Sequence, residues 1–477
     1  MLNMDREDFE RKVNSGEAFS LIYSMPGDEV TPISIFLNLN GSNRFLLESA
    51  FMKESKGRYS YMGCNPCMKI QSREAEVTIE HSNGVKESFK GDVLKVLKEH
   101  VHMEANEHNC DLPFIGGAVG YLGYDAVRSF ESIPDDNMDE LQVPDSSFNI
   151  YDTIICYDHF KNIVQIIYQV FKNESRSFQD IVEHLEDVKA NIMKPGSMHE
   201  MNKRKTSPEY SCNTTKDKFE EAVESARSYI KKGDIFQVVL SQRLSASIDE
   251  HPFEVFRRLR SLNPSPYLFY IEFDGFTAAG ASPESLVKTM GSTVETNPIA
   301  GTRPRGKDKI MDEIFKKELV SDEKERAEHL MLVDLGRNDI GKVSKFGSVK
   351  LQRFMEVDCY SHVMHLVSNV SGEMKKEHDC FDALRACFPA GTVSGAPKIR
   401  AMEIIDELEQ VRRGIYAGAV GYFSYNGDMD TCIAIRTIVF KNNKAYIQAG
   451  AGIVYDSQKT LEYEETINKL KALLEAI

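Results

Sequence analysis

Hydrophobic and polar positions repeat with two different periods along the chain, and together they predict a mixture of helices and strands. Apolar residues at helical spacing predict a helix over 219–230, and Gly233 follows where that helix can end. Strand-like alternation starts at Ile235, and turn residues at Asp274-Gly275 and at 290–292 predict two hairpins. Earlier in the chain the same patterns predict strands at 153–157 and 163–171 and helices at 92–101 and 177–192.

A polar segment at 194–216 divides the chain. It is rich in Ser, Thr and Pro and has no apolar periodicity, so it predicts a linker between an amino-terminal domain, 1–193, and a second domain, 217–477. One motif occurs on both sides, because GGAVGYLGY at 116–124 is echoed by AGAVGYFSY at 417–425, which predicts related strands in two halves of a sheet system. The whole pattern predicts an α+β fold, in which antiparallel β-sheets form a sandwich with helices around it.

Composition narrows the class of protein. Of the 477 residues, 42% are hydrophobic and 27% are charged, as in soluble globular proteins. The net charge of −15 argues against a nucleic-acid partner, and it means that an anionic ligand needs local positive charge. No apolar run reaches the length of a membrane span, and the start of the chain does not resemble a secretory signal. The nine cysteines are scattered, so we expect a cytoplasmic protein.

A glycine-rich loop in the segment FPAGTVSGAPKIRAM, at 388–402, is the most informative local feature. It carries the hydroxyls of Thr392 and Ser394 towards a helix that the pattern starts at Pro397, because proline fits the first helical position. The free N–H groups at such a helix start can bind a carboxylate or a phosphate. A plain loop-to-helix connection explains the same residues, and the loop alone leaves both interpretations open.

Acidic residues on two predicted helices are candidate metal ligands. The run 323–339 places Glu328 beside His329, and the last helix carries Glu465 and Lys469 on the face opposite its apolar stripe. Magnesium prefers one or two carboxylates and keeps several waters. The alternative is a solvated acidic face with a surface ion pair between Glu465 and Lys469. The sequence does not show whether the two helices meet.

Two polar residues lie in otherwise apolar strands. His365 shares a strand face with Val363 and Val367, where a histidine is more often a hydrogen-bonded core residue than a catalyst. Arg436, in the run CIAIRT, needs an acidic partner if it is buried, so either a structural carboxylate or an anionic ligand must lie beside it. In the run ETNPIAGTRPRG, Thr302 is a candidate contact for an oxygenated ring, and an arginine-rich surface turn is the alternative.

Taken in order, these segments resemble the chorismate-utilising enzymes, and the chain resembles anthranilate synthase component I over essentially its whole length. The motifs that carry the resemblance are NPIAGTRPRG, RAEHLMLVDLGRND, YSHVMHLVSNVSGE, GTVSGAPK, GDMDTCIAIRT, QAGAGIV and ETINK. The resemblance implies the sandwich fold of that family, with 217–477 as the catalytic domain that binds chorismate. The implied reaction adds ammonia at C2 of chorismate as the C4 hydroxyl leaves, and elimination of pyruvate then gives anthranilate.

The resemblance also implies roles for particular residues. Glu328 and Glu465 match the ligands of Mg²⁺, which in turn binds a carboxylate of chorismate. His365 matches the histidine associated with pyruvate elimination, and Glu284 is the candidate proton donor to the leaving hydroxyl. The other matched catalytic positions are Thr392 and Lys469. The implied contacts to chorismate are Thr302, Tyr416, Arg436, Gly450, Ala451 and Gly452.

Sister activities are the main alternatives. Isochorismate and salicylate synthases carry a lysine that activates water where this chain has Gln237, and a neutral amide cannot act as that base. Aminodeoxychorismate synthase component I is closer: many members have a lysine where this chain has Ala300, although some have alanine there. The form of GTVSGAPK is more similar to anthranilate synthase. A non-catalytic tryptophan-sensing subunit would need a broken active site, and none of the matched residues is missing.

A regulatory site and a partner follow from the same resemblance. The residues that match the pocket through which tryptophan inhibits the family are Glu48, Ser49, Pro266, Tyr267, Leu268 and Cys432. Leu268 stands where methionine is usual. No part of the chain resembles a glutamine amidotransferase. We therefore expect it to use ammonia alone, and glutamine only with a separate amidotransferase subunit, anthranilate synthase component II, in a heterotetramer.

Overall fold

A computed structural model describes residues 1–49, 57–101, 110–172, 174–194, 209–359 and 363–477. Apolar residues at alternate positions form strands, and apolar residues at helical spacing form the helices that cover them. The strands, numbered in chain order, are β1 (Phe19–Pro26), β2 (Phe45–Glu48), β3 (Tyr59–Gly63), β4 (Met68–Arg73), β5 (Glu76–His81), β6 (Lys86–Lys90), β7 (Gly117–Leu122), β8 (Ser146–Tyr151), β9 (Thr153–Asp158), β10 (Ile163–Val170), β11 (Tyr210–Cys212), β12 (Gln237–Ser247), β13 (Tyr267–Phe273), β14 (Phe276–Ser282), β15 (Ser285–Met290), β16 (Thr293–Thr296), β17 (Ile299–Pro304), β18 (Lys350–Cys359), β19 (Val363–Glu373), β20 (Gly395–Ala396), β21 (Ala419–Ser424), β22 (Met429–Ile433), β23 (Thr437–Lys441) and β24 (Lys444–Ile453). The helices are α1 (Arg6–Asn14), α2 (Pro32–Asn38), α3 (Val93–Val101), α4 (Phe178–Ile192), α5 (Lys216–Lys232), α6 (Pro252–Leu262), α7 (Lys309–Ser321), α8 (Glu323–Val343), α9 (Cys380–Cys387), α10 (Lys398–Leu408) and α11 (Lys459–Leu474), and a 3-10 helix spans Tyr124–Ser129.

The strands form two β-sheets of twelve strands each. The first has the order β1-β10-β9-β3-β2-β13-β14-β23-β24-β12-β11, with β20 beside β12. The second has the order β17-β19-β16-β15-β22-β21-β7-β8-β4-β5-β6, with β18 beside β19. Paired strands are antiparallel throughout the described residues. Buried side chains of both sheets share one apolar core, which includes Val119, Tyr121, Phe269 and Ile271. The structure therefore confirms the α+β fold of antiparallel sheets with surrounding helices.

Both halves of the chain contribute to both sheets. In the first sheet β2 pairs with β13, so that Glu48 lies opposite Leu268, and in the second sheet β7 pairs with β21. The two halves are thus joined edge to edge through two strand pairs, and the division into 1–193 and 217–477 stays a prediction. Within the predicted linker, residues 195–208 lie outside the described residues, Tyr210–Cys212 forms β11, and α5 begins at Lys216.

The two copies of the repeated motif are β7 and β21, and they pair with each other. Gly120 lies opposite Gly421, and Val420 lies opposite Tyr121. Neither glycine has room for a side chain, because a Cβ would lie 2.0 Å (Gly120) or 2.1 Å (Gly421) from a carbonyl oxygen of the next strand. The repeat therefore supplies the close backbone contacts at the centre of the second sheet.

Turns and helix ends fall near their predicted positions. Gly233 ends α5 with a φ of +84°, which favours glycine, and Gly275 does the same in the turn between β13 and β14 with a φ of +83°. One helix start was predicted a residue too early. Pro397 keeps an extended conformation with ψ of 141° and acts as the N-cap, so α10 begins at Lys398.

Two helices bring acidic side chains towards the sheets. Helix α8 packs on β17 and β19 and buries His329 and Val333, and α11 packs on β24 and buries Leu470 and Leu473. Their other faces carry Glu328 and Glu465. Within the described ranges, every helix is too short or too polar to cross a membrane.

Candidate active site

Arg436 lies directly before β23, and an uncommon backbone conformation aims its side chain. Its φ is +52°, in the left-handed region that residues other than glycine rarely adopt. The guanidinium donates to the carbonyl oxygen of Lys469 at 2.6 Å, and burial lowers its pKa. No Asp or Glu of the described chain pairs with it. Of the two partners that the sequence left open, a structural carboxylate is therefore absent from these residues, and the desolvated cation offers a site for an anion.

Lys469 connects helix α11 to strand β24 beside this arginine. Its ammonium group donates to the carbonyl oxygen of Gly450 at 2.9 Å and lies 2.7 Å from a carboxylate oxygen of Glu465. The ion pair between Glu465 and Lys469, which the sequence offered as an ordinary surface pair, is present. The same lysine also joins α11 to β24, the strand that carries Gly450 and Gly452.

The glycines of β24 make room for polar side chains. A Cβ on Gly450 would lie 2.9 Å from the Tyr416 hydroxyl oxygen, and a Cβ on Gly452 would lie 2.6 Å from Nε2 of Gln237. Ala451 is fully buried and, as the residue between them, points to the opposite face of the strand. Burial raises the pKa of Tyr416 to about 12, so its hydroxyl keeps its proton at neutral pH and can donate a hydrogen bond.

Gln237 stands at the first position of β12, the position at which the resemblance implies a lysine in isochorismate and salicylate synthases. Its side chain is buried, and its amide oxygen finds no hydrogen-bond partner in the described part of the chain. A buried acceptor without a donor is costly unless a ligand supplies one. The amide next to Gly452 can accept a hydrogen bond from an amine, and it cannot act as a base towards water.

His365 on β19 faces Thr302 on β17. Its Nδ1 lies 2.8 Å from the carbonyl oxygen of Gly301 and 3.2 Å from the Thr302 hydroxyl. Because a carbonyl oxygen only accepts, Nδ1 carries the proton, and Nε2 is the basic nitrogen of the neutral ring. Burial lowers the pKa of His365, and the positive charge of Arg436 acts in the same direction. The ring is therefore neutral at pH 7, hydrogen-bonded, and within electrostatic reach of the arginine.

Glu284 lies between β14 and β15 and is buried. Burial raises its pKa to about 8, while the nearby Thr392 hydroxyl and the Lys469 ammonium act to lower it. The carboxyl group therefore keeps its proton at neutral pH. Glu284 and Thr392 line a cavity of about 40 Å³ together with Leu335 of α8. Gly391 packs closely beside it, because a Cβ at that position would lie 1.9 Å from Cδ2 of Leu335 and would require that side chain to move.

Glu328 on α8 and Glu465 on α11, which the sequence could not join, lie within electrostatic reach of each other. Burial raises the pKa of Glu328, and the carboxylates of Glu325 and Glu465 raise it further. A cation would relieve this crowding of negative charge, and two carboxylates with room for water fit Mg²⁺. Within the described ranges no group of three or more His, Cys, Asp and Glu side chains is placed to hold a metal ion. A bound Mg²⁺ would thus have few protein ligands and would take its other oxygens from water and substrate.

The residues matched to the tryptophan pocket lie around the junction of β2 and β13. Glu48 is buried next to Leu268, and Arg260 of α6 binds its carboxylate with hydrogen bonds of 2.6 and 3.1 Å. Sequence reasoning did not single out this arginine. The salt bridge with Arg260 fixes the negatively charged Glu48 side chain where β2 of the amino-terminal half pairs with β13 of the second half.

The remaining residues of this set surround the other face of the same strand. Tyr267 points towards the second sheet and donates to a carboxylate oxygen of Asp430 at 3.0 Å. Cys432 lies two positions further along β22, and burial raises the pKa of its thiol. Ser49 and Pro266 are half-buried at the ends of β2 and β13. The structure therefore gathers the six residues at one junction but places Glu48 and Tyr267 on opposite faces of the sheet.

Sequence reasoning also missed a buried arginine. Arg413 is among the largest fully buried side chains and forms a salt bridge with Glu409. The available signal was its place directly before the GIYAG segment that contains Tyr416. Charged residues are rarely fully buried, so composition alone assigns such an arginine to the surface.

Comparison with known proteins agrees with this geometry. Residues 43–475 match the family described as chorismate binding enzyme. The chain is 47% identical over 460 residues to anthranilate synthase component 1 of Acetivibrio thermocellus, which covers 94% of this chain and 93% of that relative. It is 43% identical over 434 residues to aminodeoxychorismate synthase component 1 of Bacillus subtilis (strain 168), which covers 91% of each chain. The crystal structure of anthranilate synthase component I from Streptococcus pneumoniae TIGR4 is similar with a TM-score of 0.82 and 41% identity, covering 94% of this chain and 98% of that one. A match of this extent, around a site with an uncompensated cation, shows that the chain belongs to the chorismate binding enzyme family.

Proposed function

We propose that this chain is the large subunit of anthranilate synthase, which aminates chorismate with ammonia and eliminates pyruvate. The observation that carries the proposal is Arg436, a half-buried cation without a carboxylate partner among the described residues, with neutral His365 in its field. Chorismate carries two carboxylates, and the fork of a guanidinium can donate two parallel hydrogen bonds to one of them. The relative from Acetivibrio thermocellus, 47% identical, bears the name anthranilate synthase component 1 and supports this choice.

Two proton transfers fit the ionisation states of the site. In the first step the nitrogen of ammonia bonds to C2 while the C4–O bond breaks, and protonated Glu284 supplies the proton with which the hydroxyl leaves as water. In the second step the proton on C2 passes to Nε2 of His365, the C3–O bond breaks, and the leaving group departs as the enolate of pyruvate, which becomes pyruvate when the imidazolium returns that proton to its methylene carbon. Loss of both groups makes the ring aromatic.

Glu328 and Glu465 are the residues that would hold Mg²⁺, because burial and the negative charge of Glu465 both raise the pKa of Glu328, an effect that the Lys324 and Lys469 ammonium groups only partly offset. When bound, Mg²⁺ supplies positive charge that binds and polarises a carboxylate of the substrate. Lys469 keeps Glu465 oriented through the ion pair of 2.7 Å. Arg436 then receives the second carboxylate on the β23 side.

The proposal extends to a partner and to regulation. The name component 1, borne by relatives at 47% and 42% identity, supports a second component, and we assign this role to a glutamine amidotransferase subunit in a cytoplasmic heterotetramer. Tryptophan would bind at the junction of β2 and β13, where the Glu48 carboxylate is an acceptor for its ammonium group. Inhibition would follow because bound tryptophan favours an arrangement of the two halves that binds chorismate poorly.

The product formed from chorismate tests the function. Purified protein with chorismate, Mg²⁺ and an ammonium salt at alkaline pH is expected to produce the fluorescence of anthranilate, and added tryptophan is expected to suppress it. The control without ammonium should give none. Accumulation of 4-amino-4-deoxychorismate would instead assign the activity of the Bacillus subtilis relative, which is 43% identical.

His365→Met separates the two chemical steps. The methionine side chain fills a similar volume but cannot accept a proton, so anthranilate formation is expected to fall by about 10²-fold or more while the aminated intermediate accumulates. Chromatography of quenched reactions measures both compounds. Thr302→Val is the matched control, because it removes only the hydroxyl beside Nδ1 and should not trap the intermediate. Wild-type rates of anthranilate formation in the methionine variant would remove the histidine from the mechanism.

A further inference from the structure

Arg413 lies behind the candidate active site and does not reach into it. Its side chain is 1% exposed, and it forms a bidentate pair with Glu409, with Nε at 2.9 Å from one carboxylate oxygen and Nη2 at 2.6 Å from the other. A buried arginine requires such a carboxylate. Arg413 differs from other buried arginines in the acceptors that its remaining N–H groups bind.

Those donors bind backbone oxygens of two separate segments. Nη1 donates to the carbonyl oxygen of Val393 at 2.7 Å, and Val393 follows Thr392 in the glycine-rich loop. Nη2 donates to the carbonyl oxygen of Val239 at 2.7 Å, and Val239 lies opposite Gly452 in the pairing of β12 with β24. One guanidinium therefore holds the loop and the strand pair at a fixed separation.

The same group also packs against Tyr416. Its central carbon lies 5.6 Å from the centroid of the Tyr416 ring and 4.7 Å from that of Tyr124, so the cation is flanked by two aromatic rings. The hydroxyl of Tyr416 is the group that lies against Gly450. A shift of the arginine would therefore move the tyrosine relative to β24.

The pair is fixed from its other end as well. One carboxylate oxygen of Glu409 accepts hydrogen bonds from the backbone N–H and the hydroxyl of Ser241, both at 2.8 Å, and Ser241 lies opposite Gly450. Arg243 donates to the carbonyl oxygens of Arg412 and Arg413. The backbone and the side chain of Arg413 are thus both anchored to β12.

We propose that Arg413 is a positioning residue for the chorismate site, which sets Tyr416, the loop with Thr392 and the β12–β24 pair relative to one another without touching the substrate. The inference rests on the proposed function only for the identity of the ligand, because it concerns binding and not amination. Lysine keeps the charge, but its single nitrogen cannot span the carbonyl oxygens of Val239 and Val393 and both oxygens of Glu409. The substitution Arg413→Lys therefore removes the span and retains the cation.

Equilibrium binding of chorismate tests the proposal. Calorimetric titration with Mg²⁺ present and ammonia absent is expected to give a Kd at least about tenfold higher for Arg413→Lys, because small displacements of binding groups weaken a preorganised site. Arg44→Lys is the matched control, because Arg44 of the amino-terminal half also forms a bidentate pair, with Glu272 of β13. It should leave the Kd within about twofold of wild type.

A double-mutant cycle separates positioning from general destabilisation. If Arg413 acts through Tyr416, the double variant with Arg413→Lys and Tyr416→Phe should raise the Kd by less than the product of the factors for the two single variants. For Arg44→Lys combined with Tyr416→Phe, the Kd should rise by the full product of the two factors. If thermal melting shows that Arg413→Lys does not fold, the paired variant Arg413→Met with Glu409→Gln leaves no unpaired charge and carries the same expectation.

The outcomes distinguish the two proposals. A folded Arg413 variant that binds chorismate within about twofold of wild type, or whose loss multiplies fully with that of Tyr416→Phe, overturns the positioning role. Wild-type protein that binds chorismate but forms no anthranilate when ammonium is added rejects the proposed function and leaves the result for Arg413 standing. Wild-type protein that does not bind chorismate overturns both.

Discussion

Arg436→Met is expected to lower kcat/KM for chorismate by about 10²- to 10³-fold, a loss of roughly 3 to 4 kcal/mol. The guanidinium has no carboxylate partner in the described chain, so its charge is available to the substrate. A substrate carboxylate that takes no part in the bond changes is bound equally well in the ground state and in the transition state. Most of the loss in kcat/KM should therefore appear as a higher KM. Steady-state kinetics with chorismate varied at fixed ammonia measures both parameters.

Stability should respond in a different way from activity. Methionine removes a desolvated cation at the cost of one hydrogen bond to Lys469, so the free energy of unfolding without ligand should stay within about 1 kcal/mol of wild type. Arg436→Lys keeps the charge without the fork and should give an intermediate KM. Arg257→Lys, at a partly buried pair with Glu254, is the matched control and should change neither quantity. A wild-type KM in the methionine variant would show that the anion binds elsewhere.

Glu284→Gln is expected to reduce kcat by about 10²- to 10⁴-fold, because glutamine has the same shape and cannot release a proton to the leaving hydroxyl. With the pKa of Glu284 at about 8, the wild-type enzyme should lose kcat/KM as the pH rises through that value. The glutamine variant should lack this decline. The assay must hold the concentration of unprotonated ammonia constant, since that concentration itself rises with pH.

The same carboxyl group makes the stability depend on pH. It stays protonated in the folded protein up to about pH 8, whereas the unfolded chain releases that proton near its ordinary value of 4.5. The folded state therefore binds more protons between these values, and the free energy of unfolding falls as the pH rises through that window, by about 5 kcal/mol at most. Glu284→Gln should remove this decline and be the more stable protein at pH 8.

The matched control for the carboxyl group is Glu254→Gln, at a partly buried pair with Arg257. It should keep the wild-type kcat and the wild-type dependence of stability on pH. Denaturant unfolding at several pH values measures the second quantity. If the free energy of unfolding depends on pH equally in wild type and in Glu284→Gln, Glu284 ionises at its ordinary pKa and is not the proton donor.

The sequence predicted those parts of the fold that depend on local geometry. A helix over 219–230 that ends at Gly233 and a hairpin at Asp274-Gly275 follow from side-chain periods and from positive φ values, which neighbours in the chain determine. The one-residue error at Pro397 has a local cause too, because proline suits both the cap and the first helical position.

Contacts between distant segments could not be predicted in that way. The proximity of Glu328 to Glu465 arises because α8 and α11 pack on different sheets, and no periodic pattern encodes the relation between those sheets. For Arg436 the sequence predicted either a structural carboxylate or an anionic ligand as the partner, and only the tertiary contacts distinguish these alternatives. Arg413 escaped notice because two of its four hydrogen bonds go to backbone oxygens, which every residue possesses.

The antiparallel pair of β7 and β21 resembles the interface of a symmetric dimer, in which identical strands pair across a two-fold axis. In a dimer of identical subunits each substitution arises in both copies at once. Here the copies belong to one polypeptide, so each can change alone, and the equivalent positions Leu122 and Phe423 already differ. Covalent linkage thus lets the two strands diverge independently while their antiparallel pairing is kept.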